Sequence, residues 1–309
     1  MQSFTRSKVI KKILLLGNQG SFLEETKSIL AQRFDVVMFS ETADLIEGGN
    51  MLLSSYASEL SAFLEGQENL EAIVFLGGEV RNENVMMRDN FHKPLLVANF
   101  AFENKLELLY LSSLSVYDGL AKTTAQVVTT ETKETASSLY GRSKLAFDNE
   151  VAALREKGLK SFTLRPASIV GSWRMNSSVE RVARLAKRFP LLRYFRFDGI
   201  ISYVTRSELS DLISDCLQGK LQNGIHLVAN NISVSCVIWA SVGKPLLNIP
   251  VDRFLSFLDW SFSSLSSTAL KNLTNRLAYQ NDYTVESLEY REIMLADILD
   301  KMDRRLGGG

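Results

Sequence analysis

The sequence predicts an α/β protein built on a doubly wound parallel sheet, with a smaller, mostly helical lobe after it. Three observations carry that reading. Short apolar runs ending in glycine or serine recur along the first half of the chain, as buried parallel strands do. Helically spaced segments separate them. With 309 residues, the chain has room for one large α/β domain or two smaller ones.

The first run, "KKILLLG" (11–17), is a buried strand closing on glycine. "SFLEETKSILAQRF" then shows helical spacing through Phe22, Thr26, Ile29 and Leu30. "DVVMFS" (35–40) and "EAIVFLGG" (71–78) are the second and third strands, with "SSYASELSAFLEG" a helix between them. "RDNFHKPLLVANFAFEN" is another helix and "LELLYLSSLSVY" (106–117) a fourth strand. A polar, threonine-rich loop follows, then a helix beginning near Tyr140, and "SFTLRPASIVG" (161–171) as a strand with a turn. Ligands of such sheets bind at the carboxyl ends of the strands, where Gly17, Ser40, Gly77, Ser113 and Ala167 fall.

After Gly171 the pattern loosens. "VERVARLAKRF" (179–189) is a basic amphipathic helix, "GIISYVTRSELSDLISDCL" a short strand and a helix, and "GIHLVA" another strand. Residues from about 251 to 306 read as mostly helical. The expected division is a first domain over 1–171 and a lobe over 172–309, with about 200–229 returning to the main sheet.

Bulk composition narrows the function classes. Basic and acidic side chains balance at 35 each, which gives nucleic acid no reason to be the main partner. No apolar run approaches the ~20 residues of a membrane span. Two cysteines, Cys216 and Cys236, and no leader peptide before the first strand point to a reducing, cytoplasmic setting. His92 and His226 lie far apart and no C-x-x-C occurs, so no metal site is expected.

Four local patterns carry chemistry. "LLLGNQGSFLEE" sets Gly17 and Gly20 between strand and helix, as a tight turn or as a loop whose amides approach a pyrophosphate. The third glycine of that pattern is replaced by Leu23, which must find a gap or push helix and strand apart. At the end of the second strand, Ser40 stands where a ribose-binding carboxylate is expected, followed by Glu41, and no arginine is there for a 2′-phosphate. "YLSSLSVYDG" (110–119) offers hydroxyls that either satisfy their own backbone or hold a carbonyl oxygen. Tyr140 and Lys144 fall one turn apart on one helix face, as a surface pair or as a phenol whose pKa an ammonium lowers.

Taken together, "GNQGSFL", "IVFLGG", "DNF" (89–91), "LSSLSVY", "SLYGRSKLA", "TLRPASIVG" and "GIISYVTRSELSDL" resemble the extended short-chain dehydrogenase/reductases, the NAD-dependent epimerases/dehydratases. The resemblance runs from about Lys11 to Ala229. It implies a Rossmann-type dinucleotide-binding domain and a substrate-binding lobe. It also implies Tyr140 as general acid/base, Lys144 as its pKa partner and ribose ligand, and Ser113 with Ser115 facing the substrate. Gly17, Asn18, Gln19, Gly20, Ser21 and Phe22 would carry the pyrophosphate. Ser40, Leu76, Gly77, Gly78 and Asn90 would line the adenosine and ribose, while Pro166, Ala167 and Ile169 would back the nicotinamide. The cofactor is NAD or NADP, with NAD slightly favoured, and a homodimer is implied.

By the same resemblance, dehydration is disfavoured, because Leu114 and Ser115 hold the places of the usual acid and base. Cys216 and Cys236 read as packing thiols. Oxidation and reduction at one carbon remains, as in a ketoreductase or 4-epimerase, on a nucleotide sugar or related metabolite. The arginine that grips a diphosphate in many relatives is Ile201 here. Arg181, Arg184, Lys187, Arg188, Arg193 and Arg196 either replace it or form a solvated or membrane-surface face. The competing reading is a catalytically degenerate relative that senses cofactor or binds protein, motivated by Leu23, Ser40, Ile201 and the Gly77–Gly78 pair.

Overall fold

A computed structural model of the protein describes residues 10–17, 21–39, 49–121, 125–170, 177–243, 249–250 and 276–280. In chain order, β1 (Lys12–Leu16) leads to α1 (Ser21–Leu30), β2 (Asp35–Met38), α2 (Gly49–Glu65) and β3 (Leu70–Phe75). Next come α3 (Glu83–Met87), a π-helical turn over Arg88–His92, and α4 (Lys93–Glu103). Then follow β4 (Glu107–Leu111), a 3-10 turn over Leu114–Tyr117, β5 (Gln126–Val128), α5 (Leu139–Glu156), β6 (Ser161–Pro166) and β7 (Ser168–Val170). After these are α6 (Ser178–Arg188), a 3-10 turn over Pro190–Tyr194, β8 (Phe195–Arg196), β9 (Ile200–Thr205) and α7 (Arg206–Leu217). The described chain closes with β10 (Gly224–Val228), β11 (Asn230–Ser233), α8 (Val234–Val242), β12 (Ile249–Pro250) and β13 (Leu277–Tyr279).

The chain forms two compact units. The first comprises Met1–Asp118, Glu134–Leu164 and Ser210–Ile225. Its sheet has the order β10-β6-β4-β3-β1-β2. β1 pairs in parallel with β2 and β3, β3 with β4, and β4 with β6. Both faces are buried, as parallel sheets require. On one face Leu14, Leu16, Ile73, Phe75, Leu108 and Tyr110 join residues of α2, α4 and α5 in a single core. On the other, Ile13, Leu15, Ala72, Val74 and Leu109 are fully buried too. α1 and α7 are tied to each other by Ser210 to Thr26 at 3.3 Å and Arg33 to Ser214 at 2.9 Å. The fold is the α/β, Rossmann-type doubly wound sheet that the alternation of strands and helices predicts.

Two elements depart from their sequence-based expectation. The fourth strand ends at Leu111, because Ser113 turns the chain: its Oγ accepts the Ser115 N–H at 3.1 Å and caps the 3-10 turn. The helix expected from Arg88 starts earlier, at Glu83, and changes to π geometry over the "DNF" stretch. Such bulges re-aim side chains, and here one carries Asn90 into the interior.

The second unit comprises Gly119–Lys133, Arg165–Leu209 and His226–Gly309. β7, β9 and β11 form one small sheet, β8 and β12 a second, and β5 and β13 a third. The basic helix is α6, opened by a capping box between Ser177 and Glu180. It buries Val179, Val182, Ala183 and Ala186 against Ile201, Tyr203, Val234, Val237 and Ile238. Most of 251–306 lies outside the described residues. Within the described piece, Leu277–Tyr279 is a strand paired with β5. That partner sits in the threonine loop, which the sequence reading leaves without structure.

Candidate active site

The strand ends of the first unit and one face of α5 build the site. Helix α5 starts where predicted because Ser138 is its N-cap, its Oγ accepting the Gly141 N–H at 2.9 Å. Asp118 holds that cap from the turn after β4. It accepts the Ser137 N–H at 2.6 Å, the Ser137 hydroxyl at 2.8 Å and the Ser138 hydroxyl. Burial raises the Asp118 pKa, but these hydrogen bonds outweigh it and leave the carboxyl below its usual value of 3.8. A depressed carboxylate stabilises the fold above its unfolded pKa and loses that contribution as pH falls through the folded one. Asp118→Asn is therefore expected to flatten the acid limb of a melting-temperature profile below about pH 4; an unchanged limb contradicts this anchoring role.

Gly141 lets α5 approach the 3-10 turn. A Cβ there would lie 2.3 Å from the Ser115 carbonyl oxygen, which no side chain can occupy. This contact sets Tyr140 beside Ser113. The half-buried phenol is near enough to the Ser113 hydroxyl for that group to favour its ionised form, and Ser113 donates to Ser115 Oγ at 3.2 Å.

Lys144 turns its amine into the interior. Its amine is buried (2% exposed) and donates to Leu111 O at 2.9 Å and Gly77 O at 3.4 Å, 4.9 Å from the centre of the Tyr110 ring. Burial pulls its pKa down to about 8, while Asp148 opposes the fall. The Tyr140 pKa is raised rather than lowered: burial leads, the Ser113 hydrogen bond opposes it, and the Asp148 charge adds to it. The expected lowering by an ammonium is thus absent, because the amine is directed at two strand-end carbonyls.

Around Lys144 the backbone is cut close. Gly78, at φ 158°, has no space for a side chain, since a Cβ would meet Asn90 Oδ1 at 2.8 Å and Lys144 Nζ at 3.0 Å. Asn90 is fully buried and spends its side chain on the protein. It accepts the Glu79 N–H at 2.9 Å and donates to Glu79 O at 2.7 Å and Ser143 Oγ at 3.0 Å. It holds the Gly77–Glu79 loop against α5, a role that residue type alone does not reveal.

Leu23 finds its gap: it is buried, with Cδ1 3.0 Å from where a Cβ on Gly17 would stand. Leu76, whose N–H donates to Leu16 O at 2.7 Å, ties the ends of β3 and β1 together. A small pocket opens at the carboxyl ends of β1, β2 and β3, lined by Leu16, Gly17, Phe39, Tyr56, Phe75, Asp89 and Lys93. Ser21 and Phe22 open α1. Asn18, Gln19, Gly20 and Ser40 lie outside the described residues.

Pro166, Ala167 and Ile169 belong to the second unit, where Ala167 N–H donates to Val228 O at 2.9 Å. Ile201 is a core residue of that unit, 2% exposed, so no phosphate contact comes from its position. Arg193 is engaged by Val242 O and Tyr194 Oη. Cys216 is buried with its thiol pushed up to about 12, fitting a packing role, and Cys236 is half-buried and free. Among the described residues, no group of histidines, cysteines and carboxylates could hold a metal, and no helix is long and apolar enough to cross a membrane.

Comparison with known proteins agrees with this architecture. Residues 56–191 match the model of the NAD dependent epimerase/dehydratase family. No curated protein matches the chain. A dTDP-4-dehydrorhamnose reductase from Clostridium acetobutylicum superposes with TM-score 0.60 at 16% identity, covering 94% of this chain and 99% of that one. A dTDP-glucose 4,6-dehydratase from Bacillus anthracis, solved with NAD, gives 0.62 at 14% identity over 95% and 97%. A dTDP-4-dehydrorhamnose reductase from the same organism, solved with NADP, gives 0.57 at 16% identity over 79% and 86%. At such identities the likeness is one of fold. The stretch that matches the NAD dependent epimerase/dehydratase family model thus includes the "DNF" loop, the serine-lined strand end and the Tyr140–Lys144 helix.

Proposed function

We propose that this protein is an NAD(P)-dependent oxidoreductase or epimerase working at one carbinol or carbonyl carbon, on a nucleotide sugar or a related metabolite. The observation that carries the reading is the pairing of the Tyr140 phenol with the Ser113 hydroxyl at the end of β4, with the Lys144 amine at the same strand end. A dinucleotide has a place at these strand ends: the chain turns at Gly17, and a small pocket there is lined by Gly17, Phe39, Asp89 and Lys93. Two of the three solved structures named above hold a dinucleotide, NAD in one and NADP in the other.

The cofactor, when bound, supplies or accepts the hydride at the reacting carbon. Everything else falls to the chain. Tyr140, its pKa raised, is a neutral phenol at physiological pH and can give its proton to a carbonyl oxygen. Ser113 orients that oxygen from the strand end, and in the reverse direction Tyr140 takes the alcohol proton. Lys144 holds its cation at the same strand end, where it anchors the Leu111 and Gly77 carbonyls behind Ser113. Leu114 is apolar and buried, so no acid stands there for loss of water.

Reduction is expected to be flat with pH below about 8 and to fall above it, as Lys144 loses its charge before Tyr140 does. The test is calorimetric titration with NAD(H) and NADP(H), followed by turnover on a panel of nucleotide 4-ketosugars. Binding and turnover support the proposal. Tight dinucleotide binding without turnover favours the degenerate, cofactor-sensing reading, to which the burial of the Lys144 amine lends weight. No binding at all overturns both.

A further inference from the structure

Three residues on one face of α5, spaced four apart, meet three successive residues at the end of β4. Tyr140 stands beside Ser113, Lys144 donates to Leu111 O, and Asp148 accepts the Ser112 hydroxyl at 2.9 Å. Asp148 and Ser112 are themselves buried, at 4% and 3% exposure. A carboxylate this far from water needs a reason, because burying a charge is costly unless it is hydrogen-bonded or faces an opposite charge. We propose that Asp148 is a positioning residue: the buried counter-charge that keeps Lys144 cationic, and the tether that fixes the strand end carrying Ser113.

The proposal rests on the oxidoreductase reading for its effect on turnover, but not for its electrostatics. Among the described residues, Asp148 is the one charge found to act on Lys144 and on Tyr140. The other groups facing the pair are Tyr110 of β4 and Tyr140 of α5, with Ser112 and the π-turn's Asn90 as neutral polar neighbours. Without Asp148, desolvation of Lys144 stands unopposed and the amine sheds its proton more easily. The same loss eases ionisation of Tyr140, so the two proton affinities fall together. Ser112 ties this electrostatic role to geometry, since its own N–H donates to Leu164 O at 2.7 Å and pins the strand end from β6.

The experiment is a pH titration of the full-length protein with 13C-labelled lysine, following the Lys144 Cε–Hε signal, assigned by its loss in Lys144→Met. The wild type is expected to inflect near 8. Asp148→Asn keeps an acceptor for Ser112 but removes the charge, and its inflection is expected at lower pH, with Asp148→Glu returning it towards the wild type. Turnover at neutral pH should drop about tenfold for each unit that the inflection falls below the assay pH. Ser112→Ala should leave the inflection in place and lower kcat rather than raise KM. An Asp148→Asn inflection equal to the wild type overturns the electrostatic role, and an unchanged kcat in Ser112→Ala overturns the tether. Should Asp148→Asn not fold, the equally neutral Asp148→Ser decides: an inflection below that of the wild type supports the role, and an equal one refutes it. A protein inactive on every substrate would count against the oxidoreductase reading, while the titration still decides the charge.

Discussion

Replacing Tyr140 with phenylalanine is expected to lower turnover by about 10²–10⁴-fold, the range that general acid–base catalysis contributes. Dinucleotide binding should be unchanged, because the ring and its packing stay and only the hydroxyl goes. The fold should change by no more than about 1 kcal/mol, since at most the polar contact with Ser113 is lost while a desolvated hydroxyl is removed with it. Steady-state kinetics with a titration of the variant checks this. A variant that loses cofactor affinity in step with turnover would mean the phenol holds the ligand rather than moves a proton.

Gly141→Ala is expected to damage fold and activity together. Alanine ordinarily gains about 1 kcal/mol over glycine inside a helix. Here the new Cβ would stand 2.3 Å from Ser115 O, 3.1 Å from Ser115 C and 3.1 Å from Ser138 Oγ. Two of those atoms are backbone and cannot swing aside, so α5 must shift away from the 3-10 turn. Overpacking of this kind costs about 1–3 kcal/mol, which exceeds the propensity gain. Tyr140 precedes Gly141 and moves with it, so the bond to Ser113 should lengthen and turnover fall. A urea midpoint equal to the wild type would show that the close approach is not a constraint.

The sheet was legible because each strand is a short apolar run buried on both faces, and such runs survive any detail of side-chain placement. Gly17, Gly77, Ser113 and Ala167 all fall at or just past strand ends as the pattern requires. Tyr140 and Lys144 were legible as one helix face, but not where the amine points. That depends on Leu111 and Gly77 carbonyls brought close by the fold, and no local spacing encodes them. The serines after β4 looked like strand because nothing in "SSLS" says that one side chain will cap a turn. The pairing of β5 with β13 joins segments some 150 residues apart, beyond the reach of any periodicity. Asp148 did leave a signal. It continues the four-residue spacing of Tyr140 and Lys144, and an acid on a face otherwise turned inward invites the question of what it faces.

The account turns on a phenol and a hydroxyl acting on one oxygen while hydride moves at the neighbouring carbon. The most direct measurement uses dinucleotide deuterated at nicotinamide C4, with nucleotide 4-ketosugars as acceptors and mass spectrometry of the product. The wild type should place a single deuterium on the reduced carbon, and Tyr140→Phe should lose that transfer at the tempo of its turnover. Deuterium delivered equally well by Tyr140→Phe, or retained on a dinucleotide that the wild type demonstrably binds, would contradict it.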